Sequence, residues 1–183
     1  MKPIASAALL LAAVFPTAPL AGQTMPGADG MSSGFGAEIL QQFEASTSKL
    51  AALAEAMPES AYDWSPGKGV MPVGQVYMHI ARYNFMYPET SMGIPAPDDI
   101  DQSTMESIRD KDRILELLGR SIEHVRTLGA ELSDADLAER TTLYGRDVAQ
   151  WAVLLQLVTH MNEHLGQSIA YARMNGVVPP WSR

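Results

Sequence analysis

The last long apolar segment, residues 146–174, constrains the fold most, because it is apolar on two sides when drawn as a helix. At about 100° per residue, one stripe consists of Val148, Trp151, Leu155, Val158, Leu165 and Ile169. The second stripe consists of Val153, Leu157, His160, His164 and Tyr171. A helix with two apolar sides needs neighbours on both, so we predict that it lies centrally in a helical bundle.

Three further long segments show helical spacing of apolar residues, separated by clusters of proline and glycine. They predict helices over about residues 35–57, 72–87 and 103–128, and Ser133 with Asp136 predicts a short capped helix. No segment alternates apolar and polar residues over a sustained length, so no sheet is predicted. The fold class is therefore all-α, a four-helix bundle.

The N-terminus has the layout of a secretory signal peptide. Lys2 precedes an apolar run that ends at Val14, and small residues with two prolines follow. We predict a signal peptide at residues 1–23, a flexible linker at 24–34 and the bundle domain at 35–183. The protein is expected to be periplasmic or secreted, with no stable membrane insertion after cleavage. An uncleaved anchor is the alternative, but the apolar run is short for one.

Composition excludes several kinds of site. The chain has no cysteine, which removes disulfides, thiolate chemistry and cysteine metal ligands. Its formal net charge is −8 and it has no basic block, which argues against nucleic acid as a partner.

Two of the four histidines, His160 and His164, lie four residues apart on one face of the last helix. Buried imidazoles need partners, and two neighbouring ones cannot both be charged cheaply, so we predict that the pair binds a metal ion. His79, beside the apolar stripe of the second helix, is the candidate third ligand. Three histidines and a water form an open, catalytic type of site. We interpret His124 as a surface residue with no role.

The segment from His160 to His164 also matches the inverted zincin motif, with Glu163 as base. That motif needs a further ligand downstream, and no His, Asp or Glu follows His164, so we set this interpretation aside. Other polar residues near the histidines could orient a ligand, or could be ordinary interface residues: Gln75, Tyr83, Gln156, Glu163 and Gln167.

Two blocks of the sequence resemble the DinB/YfiT-like metalloenzyme family. The stretch from Tyr62 to Asn84, "YDWSPGKGVMPVGQVYMHIARYN", is similar to the family's aromatic–proline loop and first histidine helix. The stretch from His160 to Pro180, "HMNEHLGQSIAYARMNGVVPP", is similar to its closing block. The resemblance implies a four-helix bundle with zinc or nickel bound by the residues that match its ligands: His79, His160 and His164.

The expected function is that of an exported metal-dependent hydrolase or transferase with a small-molecule substrate. Some relatives use cytosolic thiols, which an exported protein would not normally meet. A non-catalytic metal-binding or stress-related bundle is the alternative, and a metal that only staples the bundle is a third. The eleven methionines make copper conceivable, although they are better explained as core filling. A homodimer is possible.

Overall fold

The computed structural model describes residues 34–182, and the predicted signal peptide lies outside them. Four long helices form the body of the domain: α1 (Phe35–Ala56), α2 (Val73–Tyr87), α3 (Lys111–Glu131) and α5 (Trp151–Met174). Between α3 and α5 lie the short helix α4 (Asp134–Ala138) and two strands, β1 (Arg140–Leu143) and β2 (Arg146–Ala149). None of the described helices is long and apolar enough to span a membrane.

The helical prediction is confirmed in its main parts and wrong in three details. Helix α1 begins at Phe35 as predicted, and Ser133 and Asp136 form a capping box at α4. However, α3 begins at Lys111 rather than near residue 103, because Asp110 caps it there by accepting a hydrogen bond from Arg113. Residues 140–149 form an antiparallel hairpin, so the prediction of no sheet and of a helix from residue 146 is wrong.

A two-residue turn explains the hairpin. Tyr144 and Gly145 both have positive φ, 52° and 72°, which matches the twist of a tight hairpin. The strands have only four residues each, too few for alternation to show in the sequence. The hairpin is fixed to the end of α2, where the Tyr144 hydroxyl contacts the Tyr87 hydroxyl and Thr141 donates to the carbonyl of Ser91.

Contacts along the helices give their directions. Phe35 packs against Trp151, and eleven residues further along both helices Ser46 donates to Asn162, so α1 and α5 are parallel. Helices α2 and α3 are also parallel. Near their starts, a Cβ added at Gly74 would lie only 2.9 Å from Cδ1 of Ile114, so the two helices are in close contact there. Further along both helices, Asn84 donates to Ser121.

The other two pairs, α1 with α3 and α2 with α5, are antiparallel, because successive contacts advance along one helix and go back along the other. The start of α3 meets the end of α1, where Lys111 donates to the carbonyl of Glu55, and further along α3 Arg126 pairs with Glu44. On α2 and α5, His79 lies against His164 and Tyr87 against His160.

Parallel packing of α2 and α3 forces the chain to return along the bundle between them. Residues 88–110 make this crossover, through a π-helical turn at Pro88–Met92 and a 3₁₀ turn at Met105–Ser107. A connection of this length with only two short helical turns is uncommon in a compact domain. The 3₁₀ turn packs against α2 and buries Met105.

The core lies between the four long helices, and α5 has apolar neighbours on two sides as predicted. Two residues of its predicted inner stripe are exceptions. Trp151 is 37% exposed and Leu155 is 42% exposed, because both lie toward the outer edge of the contact with α1. Phe35, Trp151 and Leu155 therefore form an apolar surface cluster at the start of the two parallel helices.

Candidate metal centre

The structure brings His79, His160 and His164 together in the middle of the bundle. One ring nitrogen from each lies within 4.8 Å of those of the other two. The imidazole centroids are 4.7 to 5.1 Å apart. His160 and His164 are each only 9% exposed, and His79 lies at the more open side of the group.

The antiparallel contact of α2 with α5 produces this convergence. His160 and His164 lie one turn apart on α5, and the opposite direction of α2 places His79 across from both. Neighbouring positions of the same contact, Val76 and Leu157, are fully buried. The histidines are thus held by rigid helices rather than by loops.

The Nδ1 atom of His79 forms a hydrogen bond with a carboxylate. Its Nδ1 lies 2.9 Å from Oε1 of Glu106, which also accepts from Arg82 at 3.2 Å, while Oε2 accepts from Gln75 at 3.3 Å. Burial alone would raise the pKa of Glu106, but the hydrogen bonds from His79, Gln75 and Arg82 outweigh it and hold that pKa below its usual range. An ionised carboxylate only accepts, so Nδ1 is the donor in this hydrogen bond and Nε2 is the nitrogen left to bind a metal.

The Nδ1 atom of His164 forms a hydrogen bond with a side-chain amide. Its Nδ1 donates to Oε1 of Gln167 at 2.8 Å, and Nε2 of Gln167 donates to the Tyr171 hydroxyl at 2.8 Å. The Tyr171 ring in turn packs edge-on against Trp64, with centroids 5.4 Å apart. The amide oxygen can only accept, so Nδ1 of His164 is the donor and Nε2 is the nitrogen left to bind a metal.

His160 is held by packing instead. Tyr83 lies 4.6 Å from it, between centroids, and Tyr87 lies edge-on at 6.0 Å. Burial, followed by the charges of His164 and His79, lowers the pKa of His160 to about 4. His160 is therefore neutral near pH 7, the form that binds metal.

The other predicted residues fall into different places. Glu163 is exposed on the outer face of α5, and Gln156 lies half-buried next to the Tyr87 hydroxyl. His124 is not a surface residue as predicted. It is half-buried against Phe85, with ring centroids 5.2 Å apart, and burial lowers its pKa. It lies on α3 and is not part of the histidine group.

Sequence reasoning missed Glu106. It lies 27 residues from His79 in a connection that was assigned in part to the third helix, so no helical spacing relates the two. Glu106 also lines a surface groove of about 260 Å³ with Arg82, Gln102 and Ser103. The groove has a polar lining and lies beside the most open of the three histidines.

The three imidazoles fit a divalent metal ion by their chemistry. Two of them donate from Nδ1 and leave Nε2 available as a ligand, and the third is held neutral by burial. Neutral imidazole nitrogens are good ligands for zinc and nickel. Three ligands leave room for a fourth from solvent or a substrate.

Comparisons with known proteins bear on the family and the fold of the chain. The sequence model of a family described as the DinB superfamily matches residues 42–171, which include all three histidines. No curated protein matches the chain.

Solved structures with the same fold include several bacterial proteins. A DinB-like protein from Bacillus cereus superimposes with a TM-score of 0.68 at 20% identity, covering 78% of this chain and 93% of that one. YfiT from Bacillus subtilis, described as a probable metal-dependent hydrolase with an unusual four-helix bundle topology, gives 0.61 at 19% identity, covering 84% and 95%. YjoA from Bacillus subtilis, another DinB-like protein, gives 0.56 at 17% identity, covering 77% and 93%. At sequence identities this low, the structural similarity shows a shared fold.

Proposed function

The chain belongs to the DinB superfamily, and on that premise we propose that it is a metal-dependent hydrolase or transferase acting on a small molecule. The proposed ion is zinc or nickel, bound by His79, His160 and His164. The observation that carries the proposal is the convergence of three imidazole nitrogens within 4.8 Å. The description of YfiT as a probable metal-dependent hydrolase supports the same class of reaction.

The residues around the histidines have separable tasks in this proposal. A bound divalent ion supplies a Lewis acid that polarises a carbonyl or phosphoryl oxygen and lowers the pKa of water. Glu106 and Gln167 orient two of the ligands, and Tyr83 and Tyr87 pack against the third. The polar groove beside His79 offers a route for a small substrate on its exposed side.

Metal analysis with histidine variants tests the ligand assignment. Replacing His79, His160 or His164 by alanine should remove metal from the purified protein, with a loss of affinity of at least about a hundredfold. His124→Ala is the matched control, because it removes the one histidine that lies outside the group. Wild-type metal content in His160→Ala would refute the assignment.

A non-catalytic metal protein is the second candidate, favoured by one observation. His160 and His164 are each 9% exposed, so a substrate could approach the ion only from the side of His79. The two candidates differ in their response to ligands. A catalytic site should bind a small monodentate anion such as azide at the metal, which the spectrum of a cobalt-substituted protein would report. A closed site should give the same spectrum with and without azide.

Export remains part of the proposal, on the strength of the sequence of residues 1–23. Expression of the full chain in its native type of host, followed by cell fractionation and N-terminal sequencing, tests it. A mature N-terminus near residue 24 in the periplasm or medium is the expected result. A full-length chain in the cytoplasm would contradict it.

A further inference from the structure

Glu106 reaches the metal centre from outside the two helices that carry the histidines. It belongs to the 3₁₀ turn Met105–Ser107 in the crossover, and Met105 is buried just before it. The crossover exists because α2 and α3 are parallel, and its return path lies along α2. The path of the crossover therefore places a carboxylate at the open side of His79.

The carboxylate of Glu106 accepts hydrogen bonds from three side chains that share one face of α2. Gln75, His79 and Arg82 follow one another at spacings of four and three residues, and each has a hydrogen bond to Glu106. The bond to His79 is the shortest of the three, at 2.9 Å. The Arg82 guanidinium also lies 5.3 Å from the centre of the Tyr83 ring, which limits its movement.

An ordinary surface ion pair between Glu106 and Arg82 would not account for the hydrogen bond between Glu106 and His79. Exposed ion pairs contribute little to stability and need no histidine. Glu116 on α3 illustrates such a pair, because it contacts Arg113 and Arg120, is half exposed and has no imidazole partner. Glu106 is 28% exposed and places one oxygen on the imidazole itself. Arg82 and Gln75 hold the carboxylate in that position.

We propose that Glu106 is a positioning residue that fixes the orientation and proton location of His79 and thereby sets the affinity of the centre for its metal. The proposal rests on the proposed function, because it takes His79 as a ligand. A carboxylate behind a ligand imidazole holds the proton on the far nitrogen and makes the near nitrogen more basic. Arg82 and Gln75 act on the metal through Glu106.

The test is a metal titration of the full chain and its variants by calorimetry after chelator treatment. Glu106→Ala should weaken Zn²⁺ binding by about 10- to 100-fold. Glu106→Gln keeps the shape and an accepting oxygen but loses the charge, so its affinity should fall by less. Glu116→Gln is the matched control, since it removes a carboxylate from two arginines elsewhere, and its affinity should stay within about twofold of wild type.

A second measurement separates positioning from stability. Long-range ¹H–¹⁵N spectra of the metal-free protein report which nitrogen of His79 carries the proton. Wild type and Glu116→Gln should show the proton on Nδ1, and Glu106→Ala, which has no acceptor there, should show a mixture of tautomers. Glu106→Gln should show a smaller shift in the same direction, because its neutral amide accepts more weakly and its NH2 group can also donate to Nδ1. Because Glu106→Gln is nearly isosteric, it answers the question even where Glu106→Ala does not fold.

The outcomes distinguish the two proposals. Wild type that binds zinc, with Glu106 variants of the same affinity and the same tautomer, would overturn the role of Glu106 alone. Wild type and Glu116→Gln that both fail to bind zinc, nickel or cobalt would overturn the metal centre and this inference with it. A selective loss of affinity in the Glu106 variants supports both.

Discussion

The Nδ1 atom of His164 lies 2.8 Å from Oε1 of Gln167, one turn further along α5. The amide is itself oriented, because its nitrogen donates to the Tyr171 hydroxyl. His164 therefore has a neutral partner where His79 has a charged one. Partners of this kind commonly change metal affinity 10- to 100-fold when removed.

Gln167→Leu is predicted to weaken zinc binding by about tenfold, because it removes the hydrogen bond between Gln167 and Nδ1 of His164. Tyr171→Phe should have a smaller effect in the same direction, since the amide stays but loses its anchor. Competition with a chromogenic chelator measures both. Gln41→Leu, on the exposed face of α1, is the control and should bind as wild type does.

Metal should stabilise the folded chain. A ligand that binds only the native state, at a free concentration of a hundred times its Kd, adds about 2.7 kcal/mol to the free energy of unfolding. For a domain of this size that corresponds to a rise in melting temperature of about 5–10 °C. Calorimetric melting with zinc and then with excess chelator measures the shift. His160→Ala should show no rise, and a shift of equal size in that variant would mean that zinc acts elsewhere.

Stability of the metal-free protein should depend on pH through His160. Its pKa is about 4 in the folded state, mainly because of burial, against 6.5 for an ordinary histidine. Between these values the unfolded chain binds the proton more readily, so folding stability decreases as pH falls from about 6.5 to 4. The slope should approach about 1 kcal/mol per pH unit.

Urea unfolding at pH 7 and pH 5 in chelator measures this dependence. His160→Leu should lose part of it, because the variant has no group to protonate at that position. Carboxylates with lowered pKa, such as Glu44, add a slope of the same sign at lower pH and remain in the variant. Equal pH dependence in the two proteins would contradict the prediction.

A buried polar pair should matter for the parallel contact of α2 and α3. Asn84 donates to the Ser121 hydroxyl at 3.1 Å, and both side chains are almost fully buried. Ser121→Ala leaves the Asn84 amide without this partner, which should cost about 1–3 kcal/mol in the free energy of unfolding. Ser107→Ala, an exposed serine, should change it by less than about 0.5 kcal/mol. Urea denaturation measures both values.

Helical periodicity predicted most of the fold because burial follows it closely. Phe43 and Leu50 of α1 and Val76 and Ile80 of α2, which follow helical spacing, are all almost completely buried. Resemblance to the DinB family is confirmed by the match over residues 42–171. The hairpin was not predictable from alternation, since each strand has only four residues and Tyr144 is an unusual residue for a position with positive φ.

The surroundings of the histidines were predictable only where they lie on the same helix. Gln167 could be considered because it is three residues from His164, within one turn. Glu106 could not, because its contact with His79 depends on the path of the crossover, which follows from helix directions that periodicity does not give. His124 was misjudged for a similar reason. Its neighbour Phe85 belongs to α2, and only the parallel packing of α2 and α3 brings them together.

The parallel pairing of α1 with α5 has a consequence for how the chain folds. Ser46 and Asn162, which join the two helices, are separated by 116 positions in the sequence. Local contacts cannot complete this interface, so the entropy of closing a long loop must be overcome first, and such topologies fold more slowly than bundles of sequential antiparallel helices. During synthesis, α1 leaves the ribosome long before α5 exists. The part of its apolar face that packs against α5 must stay uncovered until nearly the whole chain has been made, which creates a period when a chaperone would be useful.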